Sequence, residues 1–229
     1  LTGDGYAKQE TETKAGTTGA TATAEAKTYT GFMFDENNAS NVKSGTIAAD
    51  GSLVLKLYYT RKSYKVTYDY GTAPSGASTL PTEATYKYGA TVTVADKATA
   101  PGYNFDGWKK DGTVTTSFEM PADNVTLTGT WTAKSDTAYQ VKHYLQNLTD
   151  DGYTLDETET KSGTTGAKTE AVAKSHPGFT VQPFNQETIA ADGTTVVEIH
   201  YNRNTYKVKY DYGTAPDGAS TLPTEATYK

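Results

Sequence analysis

The sequence predicts a mainly β protein, organised as a tandem array of small alternating modules. Three observations carry this. Long stretches recur almost unchanged, strand-like segments alternate large apolar with polar residues, and the composition suits small β units better than one large core.

The recurrence sets the organisation. Residues 10–20 read ETETKAGTTGA and residues 157–167 read ETETKSGTTGA, ten of eleven positions identical at an offset of 147. Residues 68–87, YDYGTAPSGASTLPTEATYK, return as residues 210–229 with nineteen of twenty identical, now at an offset of 142. The five-residue difference falls between Asn38 and Thr46, where a surface loop absorbs length at little cost. Duplication at fixed spacing marks a repeat architecture. Two module types therefore alternate: 1–62 is a type-one module lacking its first strand, 63–135 a type-two module, 136–203 a complete type-one module, and 204–229 the start of a second type-two module.

Within the modules, period-two patterning marks half-buried strands. In chain order these are 52–59 (SLVLKLYY), 64–70 (YKVTYDY), 125–131 (VTLTGTW), 139–145 (YQVKHYL), 195–201 (TVVEIHY) and 206–212 (YKVKYDY). Asp50-Gly51 and Asp192-Gly193 precede two of them and suit the positive-φ positions of tight turns. Residues 20–27 (ATATAEAK) and 167–174 (AKTEAVAK) have the Ala and Lys content of a two-turn helix, with Thr17, Thr18 and Gly19 placed to cap the first. Each module thus reads as a small sheet with one short helix or irregular crossover.

Composition bounds the chemistry. Hydrophobic residues are 35% of the 229, below the roughly 45–50% of an ordinary globular domain. Tyrosine, with 18 copies, makes up the difference by burying its ring while keeping its hydroxyl wet. The chain has no cysteine, so packing or another crosslink must hold it. A net charge of −6 with scattered Lys and Arg argues against nucleic acid as a partner. No apolar run in this segment is long enough to cross a membrane as a helix.

The type-one residues YQVKHYLQN, GYTLDETETKSGTTGA, PGF and TVVEIHYNRN resemble the MucBP (mucin-binding protein) repeats of Gram-positive surface adhesins. The type-two stretch PGYNFDGWKKDGTVTTSFEMPADNVTLTGTW, from Pro101 to Trp131, resembles the Listeria–Bacteroides repeat, also called the internalin B-repeat. The resemblance implies α+β, β-grasp (ubiquitin-like) modules in an elongated array. It also implies an extracellular protein attached to the cell wall.

Candidate sites are few. Trp108, next to Asp106 and the Asp111-Gly112 turn, could stack on a sugar, or could fill the type-two core with Trp131, Tyr103, Phe105, Phe118 and Met120. Tyr29 and His176 fall at equivalent positions of the two type-one modules and are the candidates for a recurring ligand contact. His143 and His200 read as strand positions, and the three histidines lack metal-ligand spacing. Asp150-Asp151-Gly152 and Asp35-Glu36-Asn37-Asn38 carry oxygens for calcium without the spacing of an EF-hand. Lys65 and Asn124, with Glu119 as catalyst, are the candidates for an internal isopeptide bond.

No nucleophile–base pair or phosphate-binding loop is present, so the expectation is a non-enzyme without cofactor or metal. The function expected is a structural stalk or spacer in a surface adhesin or fibre, partnered by its neighbouring repeats. The alternative is a multivalent array recognising host mucin glycans or glycoproteins through weak sites on each module.

Overall fold

The computed structural model describes residues 5–229; the first four residues of the leading type-one module lie outside them. Every regular element among the described residues is a β-strand. The chain forms two compact units. The first takes the chain up to Thr72 together with Thr79–Ala98 and Asp106–Thr130, and the second takes Ala73–Ser78, Thr99–Phe105 and Trp131–Lys229.

The first unit is built on a five-stranded sheet in the order Thr113–Val114, Lys109–Lys110, Val125–Thr128, Ser63–Asp69, Ala84–Lys87. Its centre is a parallel pair, with Val66 opposite Val125 and Tyr68 opposite Leu127. The alternation read at 64–70 is realised: Val66 and Tyr70 are buried while Lys65 and Asp69 face solvent. Val92, Met120 and Leu127 complete a core around Trp108, whose ring stacks on Tyr70 at 5.3 Å and meets Tyr68 edge-on at 4.8 Å. Burying one indole in this way contributes about 4–6 kcal/mol of hydrophobic free energy at most. The type-one residues here form two small antiparallel pairs, Thr21–Thr23 with Ser44–Thr46 and Phe32–Phe34 with Tyr59–Arg61, and one isolated bridge, Val42 to Lys56.

The second unit carries a four-stranded sheet in the order Tyr153–Gly163, Thr137–Gln146, Val196–Arg203, Phe179–Val181. Thr137–Gln146 and Val196–Arg203 run parallel from Gln140↔Val196 to Leu145↔Tyr201. Parallel neighbours need a crossover, and here the intervening chain lays Ala171 and Ile189 onto Tyr139, Val141, Val197, Ile199 and Tyr201. Gln186 bonds both the N–H and the C=O of Ala171, so a side chain does the work of a strand partner.

Three expectations are corrected. Residues 20–27 and 167–174 form no helix. Their small residues recur at every second position, and Thr169, Ala171 and Ala173 turn inward while Glu170, Val172 and Lys174 turn outward. That is the period of an extended strap, and it overrides the helix propensity of Ala and Lys. The strand read at 52–59 is reduced to a single bridge at Lys56 and the short Tyr59–Arg61. Its counterpart, Val196–Arg203, is held by Thr137–Gln146, whereas among the described residues no strand runs parallel beside 52–59. The strand read at 206–212 shortens to Tyr206–Val208, which among the described residues pairs with Ala226–Tyr228 alone, whereas Ser63–Asp69 also has a parallel neighbour.

Candidate functional site

The second ETETK copy lies in an edge strand that carries a carboxylate clasp. Tyr153–Gly163 pairs antiparallel with Thr137–Gln146. Glu157 and Glu159, two residues apart, project from one face. Lys174, on the crossover strap, reaches both carboxylates, at 2.6 Å and 2.7 Å. The Lys174 bond, aided by Lys161, holds the Glu159 carboxyl down at about 2 against the opposing effect of burial. Glu157 and Glu159 in turn raise the Lys174 ammonium above its ordinary value.

Beneath the clasp lies a buried polar chain. The Lys174 N–H donates to the Tyr201 hydroxyl at 2.8 Å. That hydroxyl lies 2.9 Å from Nδ1 of fully buried His143, whose Nε2 is 3.1 Å from Glu159. In the neutral imidazole, the Tyr201 proton goes to Nδ1 and the Nε2 proton to Glu159, which satisfies every member. The network ties edge strand, first strand, last strand and strap together.

The leading module repeats the clasp with its own residues. Lys27 bonds Glu10 and Glu12, holding both carboxyls below the usual range. The Lys27 N–H donates to the Tyr59 hydroxyl at 2.9 Å. Copy for copy, Glu10, Glu12, Lys27 and Tyr59 answer to Glu157, Glu159, Lys174 and Tyr201. Sequence reading missed this role. The available signal was the strict Glu-Thr-Glu-Thr-Lys alternation, which sets β-branched residues on one face and charges on the other.

Tyr29 and His176 belong to the same clasp. Tyr29 meets Tyr59 edge-on at 4.9 Å and donates to Glu10 at 2.8 Å. His176 meets Tyr201 edge-on at 4.5 Å, with Nδ1 3.9 Å from Asp156. Both rings are partly buried packing elements. Trp108 is 2% exposed and donates to the Asp96 carbonyl at 3.0 Å. It presents no stacking face to solvent.

The other candidates separate. The Lys65 ammonium pairs with Glu83 at 2.6 Å on the surface, while Asn124 accepts from the Lys65 backbone N–H at 2.8 Å. The amine and amide of the candidate isopeptide pair thus bond to other partners, and Glu119 is solvent-exposed. Asp150 accepts from Asn147 and from the Gly152 N–H, both at 2.7 Å, which closes the turn on itself. The Asp35 carboxylate meets Asn38 at 3.5 Å, and no group of three or more His, Asp or Glu able to hold a metal occurs among the described residues.

Two joints between consecutive sequence modules share one construction. In the first unit the Lys62 N–H donates to the Gly31 carbonyl at 2.8 Å, and the Lys62 carbonyl accepts from the Tyr88 N–H at 2.8 Å. In the second, the Lys134 N–H donates to the Gly102 carbonyl and the Lys134 carbonyl accepts from the Thr165 N–H, both at 2.9 Å. One linker peptide relays from module to module. Gly31 and Gly102 have φ of 77° and 67°. A Cβ on Gly31 would stand 2.2 Å from the Tyr88 ring, and one on Gly102 would stand 2.7 Å from the Ala191 backbone.

Residues 64–135 match the family model described as the divergent InlB B-repeat domain. Among solved structures, the chain is similar to "Streptococcal High Identity Repeats in Tandem (SHIRT) domains 3-4 from cell surface protein". The identity is 18% over 62% of this chain and 98% of that one, with a TM-score of 0.25. No curated protein matches the sequence.

Proposed function

We propose that this chain is a load-bearing spacer, a run of alternating repeats in the stalk of a bacterial surface protein. The parallel placement of first and last strands carries the proposal. In the second unit the chain enters its four-stranded sheet at Thr137 and leaves at Arg203, and these parallel strands lie side by side. Parallel strands place the incoming and outgoing chain at opposite ends. Tension along the chain therefore loads the hydrogen bonds from Gln140↔Val196 to Leu145↔Tyr201 together, in shear, instead of opening them one by one. Ser63–Asp69 and Val125–Thr128 repeat the arrangement in the first unit.

The peptide relays at Lys62 and Lys134 support the same reading, since each joins a module to the next by backbone bonds. The B-repeat match of residues 64–135 supports a repeat role, and the MucBP-like residues support a place at the cell wall. The binding-array alternative would need Tyr29 and His176 open to a glycan, whereas Tyr59 and Tyr201 pack against them.

Single-molecule pulling between the chain ends tests the proposal. The expected record is abrupt, high-force steps, one releasing the length between Thr137 and Arg203 at once. Gradual release at the low force of hairpin unzipping would overturn it.

A further inference from the structure

Residues 178–204 repeat the framework of the first joint. The Asn204 N–H donates to the Gly178 carbonyl at 2.8 Å, as the Lys62 N–H does to Gly31. Gly178, Phe179, Arg203 and Asn204 are the copies of Gly31, Phe32, Arg61 and Lys62. The guanidinium of Arg203 lies over the Phe179 ring at 4.8 Å, as Arg61 lies over Phe32 at 5.8 Å. Gly178 keeps the positive φ, 80°, that Gly31 uses.

What differs is the occupant. Over Gly31 sits Tyr88, edge-on to Phe32 at 5.7 Å, its N–H bonded to Lys62 and its carbonyl accepting from Arg61 at 2.6 Å. Over Gly178 a Cβ would meet nothing within 4 Å. No described N–H donates to the Asn204 carbonyl.

We propose that Gly178, Phe179, Arg203 and Asn204 form a seat for the Tyr–Gly turn of a type-two module. The seat takes an aromatic ring flat on a side-chain-free backbone, one N–H for the Asn204 carbonyl and one carbonyl for Arg203. The register on the page brings such a turn to it. Tyr206–Val208 pairs with Ala226–Tyr228 as Ser63–Asp69 pairs with Ala84–Lys87, with Tyr206↔Tyr228 copying Tyr64↔Tyr86. In the occupied copy the two residues after Lys87 are Tyr88 and Gly89. Tyr-Gly appended after Lys229 would therefore reach Gly178 by the same path. The seat is a joint whether or not the joint carries force, so this proposal stands apart from the load-bearing one.

NMR of three chains decides it: the chain itself, the chain extended after Lys229 by Tyr-Gly-Ala, and the chain extended by Ala-Gly-Ala. The Gly31 α-protons, under the Tyr88 ring, give the upfield ring-current shift that serves as an internal standard. The expected result is that Gly178 gains a comparable upfield shift with Tyr-Gly-Ala and not with Ala-Gly-Ala. A fourth chain, extended by residues 88–135, supplies a whole module. There the appended tyrosine N–H gains hydrogen-exchange protection from the Asn204 carbonyl. Gly178 protons unmoved in both tyrosine-bearing extensions would overturn the proposal.

Discussion

The phenol ring of Tyr88 lies flat on Gly31, with room for no side chain between them. A residue with φ of 77° and a ring against its Cα admits only glycine without strain. Gly31→Ala is expected to cost about 1–3 kcal/mol from the left-handed backbone alone, plus the displacement of the ring. With Tyr88→Ala already in place the displacement cost vanishes and the backbone cost remains. Urea unfolding of both single variants and the double variant reads this as non-additivity. Strictly additive costs would show that ring and glycine do not press on each other.

Acid should loosen the clasp in a defined window. Glu159 is held at about 2 against an ordinary 4.5, so its pairing stabilises the fold fully above the unfolded value. That contribution fades as pH falls from about 4.5 to 2. The full shift would be worth roughly 3 kcal/mol. With the Lys174 side chain 38% exposed, solvent screening reduces this, to an expected ~1–2 kcal/mol. Lys174→Met should lower stability at neutral pH and flatten the stability–pH slope in that window. An unchanged slope would detach Lys174 from Glu159.

Tyr201→Phe removes one hydroxyl that serves two groups, the Lys174 N–H and Nδ1 of His143. Leaving these unsatisfied under cover is expected to cost about 1–3 kcal/mol. His143→Leu deletes one of the two stranded partners. The double variant should therefore be more stable than the sum of the single costs implies, as thermal unfolding would show.

Trp108 and Trp131 are the two tryptophans of the chain, and the first is 2% exposed. In the Trp131→Phe variant, acrylamide should barely quench the remaining fluorescence until the protein unfolds. Trp108→Ala should cost about 3–5 kcal/mol through the cavity it leaves. Strong quenching in the native state would place Trp108 on the surface after all.

The central strands were legible from sequence because their burial follows the apolar alternation, as at Val66 and Tyr70 or at Tyr139 and Val141. The edge strand Tyr153–Gly163 was not, since its faces are mostly solvated and its code is charge on threonine. Residues 10–16 match the second half of that strand at six of seven positions yet form no strand. Pairing partners, not local preference, decide that segment. The straps misled because alanine favours helix in isolation, while a sheet face rewards a small residue at alternate positions. The joints were harder to read: their backbone relay carries no signature, and the Gly-Phe and Arg that recur in both type-one modules lie more than twenty residues apart.

The parallel pair also dictates an order of events at the ribosome. Thr137–Gln146 emerges long before Val196–Arg203, the neighbour that completes its apolar face. Until then Tyr153–Gly163 can hold its other edge as a local hairpin. Closing the distant pairing carries the entropy of the whole intervening loop, which makes it the slow step. Sequence proximity thus favours the charged edge strand as the first neighbour of Thr137–Gln146, flanking the nascent sheet before the chain that finishes it is made.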